Sequence, residues 1–346
     1  MKNLLETTAD ELSQWFAARG HRPYRAGQIR NWLFNRRATS FNEMTDVSQG
    51  LRDELAASFA FGTAKIVTHH KAVDGTEKLL LEFSGGQIEC VLLRDGIRRS
   101  ICISSQVGCA MGCVFCASGL DGVERNLSTA EIVEQMLQLA RLLPADERLS
   151  HIVVMGMGEP LANLDNVLAA LAQATDREGL GISPRRMTIS TVGLPVAMKR
   201  LTAEDPRFNL AVSLHAPNDE LRNELVPVND KTGLDAIIAA ADQYFDASGR
   251  RLTFEYVLLG GLNDDPDHAR QLACLLRGRP ALLNVIPYNT VPGLPYRTPS
   301  DRAQREFRQI LQDGGLNVHF RQRKGDEIDA ACGQLRRIKP TVVQTD

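Results

Sequence analysis

The sequence predicts an α/β fold whose core is a largely parallel sheet covered on both faces. Three observations predict it. From about residue 98 onward, short runs with strand character alternate with amphipathic helical stretches, giving six β/α units in succession. Those strands are apolar almost throughout, the pattern of strands buried on both sides. Before residue 98 the texture differs, and helices followed by a hairpin form an accessory region. A sheet of this kind is either open and doubly wound or curled into a partial barrel.

Taken in order, residues 1–62 read as helical. Thr8 and Glu11 make a capping box ahead of a helix through Leu12, Trp15 and Phe16, and a second amphipathic stretch carries Ile29, Trp32 and Leu33. Residues 63–97 read as strands at 64–67, 78–83 and 88–93, the last two joined by a Ser-Gly-Gly turn at 84–86. Beyond them lie candidate strands at 100–104, 151–155, 186–191, 209–214, 252–258 and 282–287. Helices are expected at 129–142, 164–174, 195–201, 234–245, 266–276 and 302–312.

The 346 residues are 43% hydrophobic and 24% charged, an ordinary globular composition. Residues 1–11 carry acids and no apolar core, unlike a secretory leader, and no run approaches the roughly 20 apolar residues of a membrane span. A cytoplasmic protein with no membrane partner is expected. In that setting seven cysteines (Cys90, Cys102, Cys109, Cys113, Cys116, Cys274 and Cys332) point to metal or thiol chemistry instead of a disulfide framework. The net charge of -2 says nothing in favour of nucleic acid, but its distribution does. Arg19, Arg22, Arg25, Arg30, Arg36 and Arg37 follow one another without an acid, interleaved with Tyr24, Trp32 and Phe34. That composition suits phosphate and base contacts, and equally a solvated helical face.

Cys109, Cys113 and Cys116 lie in Val107-Gly-Cys-Ala-Met-Gly-Cys-Val-Phe-Cys116, directly after the first barrel strand. Three thiolates on one short loop hold three irons of a [4Fe–4S] cube and leave the fourth open, where ferredoxin-type clusters use four cysteines. The amino and carboxylate groups of S-adenosylmethionine (SAM) suit such an open iron. A structural zinc would need four ligands and paired CxxC spacing, and no second pair exists. Gly108 and Gly112 let the loop wrap closely. One unit later, Met155-Gly-Met-Gly-Glu-Pro160 follows the second strand at its C-terminal end, where barrel ligands bind. Glu159 can accept hydrogen bonds from an ammonium group, and Gly156 and Gly158 permit close backbone approach. Ser190, Ser213 and His215 end the third and fourth strands at corresponding rim positions, where a lone serine or histidine is often structural.

These segments resemble the RlmN/Cfr-type radical SAM RNA methyltransferases, and most closely the RlmN branch, over nearly the whole chain. The resemblance is carried by Ser104-Ser-Gln-Val-Gly-Cys109, Arg125-Asn-Leu127, Gly156-Met-Gly-Glu-Pro160, Ser213-Leu-His-Ala-Pro-Asn218, Ile286-Pro-Tyr-Asn289 and Gly325-Asp-Glu-Ile-Asp-Ala-Ala-Cys-Gly-Gln-Leu335. The last is the most discriminating, because most other radical SAM classes lack a C-terminal cysteine in this setting. The resemblance implies a partial (β/α)6 radical SAM barrel over residues 98–346, a helical RNA-binding accessory domain over 1–62 and a β-hairpin extension over 63–97. It implies one [4Fe–4S] cluster on Cys109, Cys113 and Cys116, and SAM contacts from Gly158, Glu159, Ser190, Ser213, His215 and Asn289. It also implies methylation of adenine C2, at adenine 2503 of 23S rRNA and adenine 37 of tRNAs. A C8-methylating, Cfr-type activity shares all these motifs and is the alternative.

Adenine C2 is electron-poor and carries no lone pair, so it cannot simply attack the SAM methyl group. The family's route, carried onto this chain, uses two SAM molecules per turnover. One methylates the Cys332 thiolate; the other accepts an electron from the cluster and yields a 5′-deoxyadenosyl radical. That radical takes hydrogen from the S-methyl group, and the methylene radical adds to the base. Cys102 would resolve the adduct, leaving a transient Cys102–Cys332 disulfide, and Glu89 would be the proton acceptor. An electron donor such as flavodoxin is implied. A monomer is expected, since one barrel supplies every site residue. With the family in view the arginine-rich helices read as RNA-contacting. Arg321, Arg323, Lys324, Arg336, Arg337 and Lys339, around Cys332, read as steering phosphates toward it. The target base would have to leave its stack. Cys90 reads as a strand filler and Cys274 as helix core. One departure stands out: Gly122-Val-Glu-Arg-Asn-Leu127 has valine where the family commonly has phenylalanine, which bears on loop packing and not on the cluster ligands.

Overall fold

The apolar runs pair into one sheet. The computed structural model describes residues 1–250, 252–321 and 324–336. Its strands are β1 (Lys65–Lys71), β2 (Glu77–Phe83), β3 (Gly86–Asp95), β4 (Arg98–Cys102), β5 (His151–Val154), β6 (Met187–Thr191), β7 (Asn209–Ser213), β8 (Leu252–Leu258), β9 (Ala281–Pro287) and β10 (Asn317–Phe320). Among the described residues these make a ten-stranded sheet in strictly sequential order. Neighbours from β4 to β10 are parallel, and β1 to β4 are antiparallel. A doubly wound sheet reverses its strand order at a switch point. Here the order never reverses, so the sheet is the one-way sheet of a barrel, and it has free edges.

Helices run α1 (Ala9–Ala17), α2 (Arg25–Phe34), α3 (Gln49–Ser58), α4 (Thr129–Arg141), α5 (Leu164–Thr175), α6 (Pro195–Glu204), α7 (Asp219–Leu225), α8 (Leu234–Ser248), α9 (Pro266–Leu275) and α10 (Asp301–Asp313). From α4 onward they connect successive parallel strands, as right-handed crossovers require. Two elements were not expected: the short helix α7, and β10, whose Asn-Val-His-Phe sequence alternates in exposure as an edge strand does. The strands of residues 63–97 continue the barrel sheet, because β3 pairs with β4 at Val91 and Cys102. Among the described residues no helix is long and apolar enough to cross a membrane.

The accessory helices begin as the capping box predicts. Thr8 N donates to Glu11 Oε2 at 2.8 Å and Glu11 N to Thr8 Oγ1 at 3.2 Å. Leu12, Phe16, Ile29, Leu33 and Leu55 fill their core. Five of the six arginines divide into two kinds, while the half-buried Arg25 donates to Gln28 Oε1 at 2.5 Å. Arg30 is only 2% exposed; its Nη1 donates to Gln173 Oε1 at 2.9 Å and its Nη2 to Asp176 Oδ2 at 2.8 Å. Arg37 donates to the carbonyl oxygens of Leu143, at 2.8 Å, and of Pro144, at 3.2 Å. These two fasten the accessory helices to the barrel. Arg19 and Arg36 lie over the rings of Trp15 and Trp32, 4.3 and 4.2 Å from their centroids, and remain open to solvent with Arg22. Cys90 is buried as expected, but Cys274 is exposed. Ala269, Leu272 and Ala273 take the buried face of α9, and the 3.6-residue period turns Cys274 away from it.

Replacing Arg30 with methionine is expected to lower unfolding free energy by about 2 kcal/mol, the scale of hydrogen bonds to a charged group. Urea unfolding should show a lower midpoint with unchanged slope. Arg22→Met should stay within about 0.5 kcal/mol of wild type. Equal midpoints for the two variants would show that the Arg30 contacts contribute nothing.

Candidate active site

The cysteine loop leaves β4 through a short antiparallel ribbon, Gln106–Gly108 against Val123–Asn126. Gly108 makes this possible: its φ is +78°, and a Cβ there would sit 2.0 Å from the carbonyl oxygen of Gly122. Cys109 N donates to that same oxygen at 2.9 Å, closing the loop. Val123, at the family's phenylalanine position, is 39% exposed, so the departure removes no buried contact. Arg125 anchors the ribbon through a 2.7 Å ion pair with Glu131 and a 2.7 Å hydrogen bond to Ser84 O.

Cys109, Cys113 and Cys116 carry free thiols and face one cavity of about 150 Å³. Burial pushes all three thiols up, Cys109 to about 12. Ionised sulfur here calls for a strong cationic partner, which iron supplies. Among the described residues no three ligand side chains converge on one point as a single metal ion requires. A cube offers each thiolate its own iron, so spread sulfurs on one loop fit it.

The same cavity is lined by Gly158 and Glu159, by Ser190 at the end of β6, and by Ser213 and His215 at the end of β7. Glu159 is buried and its carboxyl is pushed up to about 7 by that burial. It already ties two loops together, accepting from Leu161 N at 3.0 Å and Val192 N at 2.8 Å. The glycines of this loop make room first for the protein itself: a Cβ on Gly158 would lie 2.6 Å from Gln106 Cβ. His215 sits in the left-handed region with φ 62°. Its Nδ1 accepts from Val257 N at 3.1 Å, so the neutral ring carries its proton on Nε2. Burial, and then Arg222, push its pKa down to about 3.

Asn289 is placed differently. It lines a smaller cavity of about 30 Å³ beside the first, donates to Cys332 O at 3.2 Å, and leaves its buried Oδ1 without a partner. Such an oxygen suits a donor on a bound ligand. Cys332 faces both cavities, and Cys102 faces the smaller one with it. Burial and the neighbouring Cys332 push the Cys102 thiol up to about 12. The sequence-predicted thiol pair is therefore brought to one place. Glu89 is not: it lines a separate cavity of about 260 Å³. Its Oε1 pairs with Lys78 Nζ at 2.9 Å, and its Oε2 accepts from Arg336 N at 2.9 Å. Burial raises its pKa, against the opposing pull of Lys78.

The basic residues around Cys332 do not share one role. Arg321 points inward and donates from Nη1 to Cys332 Sγ at 3.0 Å, so it is not a surface guide for phosphates. Lys324 pairs with Asp95 at 3.1 Å. Arg323, Arg337 and Lys339 lie outside the described residues. Four residues that no motif marked hold the site together. Arg222 is fully buried and donates to the carbonyls of Leu214 at 2.9 Å, Ser213 at 3.0 Å and Val192 at 2.5 Å. Asn263 donates to His215 O at 2.8 Å and Val257 O at 2.7 Å. Glu255 and Lys78 are the other two, and a charged residue in a strand of apolar neighbours was the signal that could have found them.

Comparison with known proteins follows this geometry. A family described as Ribosomal RNA large subunit methyltransferase N-terminal domain matches residues 2–60, and the Radical SAM superfamily matches residues 103–273. The chain is 64% identical over 344 residues to a probable dual-specificity RNA methyltransferase RlmN of Rhodopirellula baltica, covering 99% of this chain and 93% of that one. It is 44% identical to a protein of the same name from Bacillus cereus, over 94% of this chain and 91% of the relative. The crystal structure of a radical SAM methyltransferase from Sphaerobacter thermophilus superposes with a TM-score of 0.94 at 41% identity, covering 97% of this chain and 99% of that one.

A histidine with its pKa near 3 stays neutral from pH 5 to 8. SAM affinity of cluster-loaded wild type and of His215→Asn should therefore differ by a constant factor, about tenfold for one hydrogen bond, across that range. Equilibrium binding at several pH values tests this, and a ratio that changes with pH would count against a neutral Nε2 donor. Folding stability should instead fall as pH drops from the unfolded histidine value near 6.5 toward about 3, since only the neutral ring is buried at no cost.

Proposed function

This chain belongs to the RlmN-type radical SAM RNA methyltransferases, and on that premise we propose that it methylates C2 of adenine in RNA through an S-methylated Cys332. The substrates under this reading are adenine 2503 of 23S rRNA and adenine 37 of tRNAs. The observation that carries it is the position of Cys332, which faces the cavity of the three cluster cysteines and shares the adjoining one with Cys102. A sulfur so placed can take a methyl group from a ligand held in the larger cavity and later meet a second thiol.

A [4Fe–4S] cluster on Cys109, Cys113 and Cys116 supplies, when bound, the electron that cleaves SAM reductively. Gly158, Glu159, Ser190, Ser213, His215 and Asn289 hold SAM. Glu159 accepts from its ammonium group, and His215 donates from Nε2. Two SAM molecules serve each turnover, the first giving its methyl to Cys332. Cys102 attacks the adduct sulfur once the base is attached, and the resulting disulfide is reduced before the next cycle. Glu89 takes the proton lost from the base. Its pairing with Lys78 opposes the burial that raises its pKa, and its own cavity offers room for a ring beside it. Arg19, Arg22 and Arg36 form the exposed basic face that contacts RNA phosphates. Flavodoxin or a similar donor supplies electrons, and one chain carries a complete site.

Wild type and Cys102→Ala, both anaerobic and cluster-loaded, are compared by peptide mass spectrometry at Cys332, with digested RNA compared against authentic standards. A methyl group on wild-type Cys332, an RNA adduct in the variant, and 2-methyladenosine in the product are expected. An 8-methyladenosine product would assign the Cfr-type activity instead. A bare Cys332 thiol in both proteins would remove the methyl-carrier reading.

A further inference from the structure

The interior of the barrel holds a charged group that the reaction just described does not use. Arg321 directly follows β10, its backbone N donating to Val285 O at 2.9 Å. On the alternating pattern of that strand His319 and Arg321 face the same side, and both line the barrel interior. From there Arg321 Nη1 donates a hydrogen bond to Cys332 Sγ at 3.0 Å. Glu255, on β8, lines the cluster cavity together with Arg321 and Cys332, itself buried and accepting from Asn284 Nδ2 at 2.7 Å. Arg321 thus contacts a sulfur and shares its cavity with a buried carboxylate.

We propose that Arg321 is a catalytic residue for methyl transfer to Cys332, holding the sulfur as a thiolate aimed into the cluster cavity, with Glu255 as its resident counter-ion. The assignment rests on the methyl-carrier reading of Cys332. In the step it serves, the thiol proton has left to solvent and the Cys332 Sγ electron pair attacks the methyl carbon of SAM. A new S–C bond forms, the sulfonium–methyl bond breaks, and its electron pair stays on the sulfur of S-adenosylhomocysteine. One negative and one positive charge become two neutral groups.

That loss of charge explains why a second anion is needed. The half-buried Cys332 sulfur has the Arg321 guanidinium within hydrogen-bond distance, a partner that favours negative charge on it. Once Cys332 becomes a thioether, Arg321 would be left as a buried cation without a partner, unless Glu255 carries the opposite charge. The electrostatics agree: Cys332 is the largest influence raising Arg321, and Glu255 also acts in that direction. Burial pushes the Glu255 carboxyl up to about 7, and Arg321 is the first influence opposing it. Arg321 and Glu255 thus each favour the other's charged form before and after Cys332 is methylated. Arg321 also acts on Cys102, lowering its thiol against the pull of burial, so the same cation faces the resolving sulfur.

Arg321→Met, Arg321→Lys and wild type would be compared in two measurements. In SAM-free protein at fixed pH, carbamidomethylation of Cys332 by iodoacetamide is followed by peptide mass, with exposed Cys274 in the same chain as the reference thiol. With cluster and SAM loaded, the initial rate of methyl appearance on Cys332 is followed without RNA. Arg321→Met is expected to slow both by roughly 10- to 100-fold relative to Cys274, the factor of one charge-assisted hydrogen bond. Arg321→Lys, which keeps the charge, should recover most of that loss, which a purely steric role for Arg321 would not produce. Cys332 reacting in Arg321→Met at the wild-type rate relative to Cys274 would overturn the proposal. So would a loss in Arg321→Lys equal to that in Arg321→Met. No methyl on wild-type Cys332, with its alkylation still dependent on Arg321, would overturn the methyl-carrier reading and with it the catalytic assignment.

Discussion

The hydrogen bond from Ala117 N to Gly333 O, at 2.8 Å, joins the cysteine loop to a segment more than 200 residues away, and the site depends on it. Three further contacts support that return. Ser118 Oγ donates to Leu335 O at 2.6 Å, Gln334 Nε2 to Thr290 O at 3.0 Å, and Asn289 Nδ2 to Cys332 O at 3.2 Å. All four are accepted by backbone oxygens, three of them the segment's own. The path of the segment is therefore set by its main chain, and the Cys332 side chain is left for chemistry. Each such bond is worth only about 1 kcal/mol net, so the docking relies on several acting together.

The rim of the barrel has the same logic. Parallel strands end with carbonyl groups that no further strand can satisfy, and a ligand site there must leave some of them without water. Arg222 gathers three such carbonyls from the ends of β6 and β7, and Asn263 gathers two from the ends of β7 and β8. A residue with positive φ such as His215 persists only where its surroundings over-determine it. Asn263 holds its carbonyl, Val257 N holds its ring, and Phe115 packs edge-on at 4.9 Å. The rim is rigid because buried polar side chains complete the strand ends.

What was legible in the sequence follows from how far each signal reaches along the chain. The six barrel strands and their helices carry long apolar periods, and they appear within a few residues of where periodicity places them. The cysteine triad and Met155–Pro160 are local, so their chemistry could be read without tertiary contacts. The arginine cluster could not be sorted the same way. Arg30 and Arg37 look like Arg22 in sequence, yet their roles depend on Gln173, Asp176 and Leu143, which lie more than 100 residues away. Arg321 reads in sequence as one more surface cation, because a turn eleven residues on brings the Cys332 sulfur back to it, and nothing in the local pattern marks that return. β10 was hidden because two exposed polar residues, Asn317 and His319, alternate with half-buried Val318 and Phe320 and leave no apolar run.

Buried ion pairs are poor evidence for stability, since well-packed apolar residues of similar size often do as well or better. An ion pair and a cation nonetheless flank the Cys332 segment, Lys78 with Glu89 on one side and Arg321 on the other. Lys78 and Glu89 grip that segment at both ends: Lys78 Nζ donates to Asp329 O at 3.0 Å, and Glu89 Oε2 accepts from Arg336 N at 2.9 Å. Arg321 holds its middle through Cys332 Sγ. Apolar substitutes could match the packing of Lys78, Glu89 and Arg321 but not their contacts to the segment. Their cost in desolvation is better explained by placing one sulfur at the boundary between two cavities than by holding the fold together.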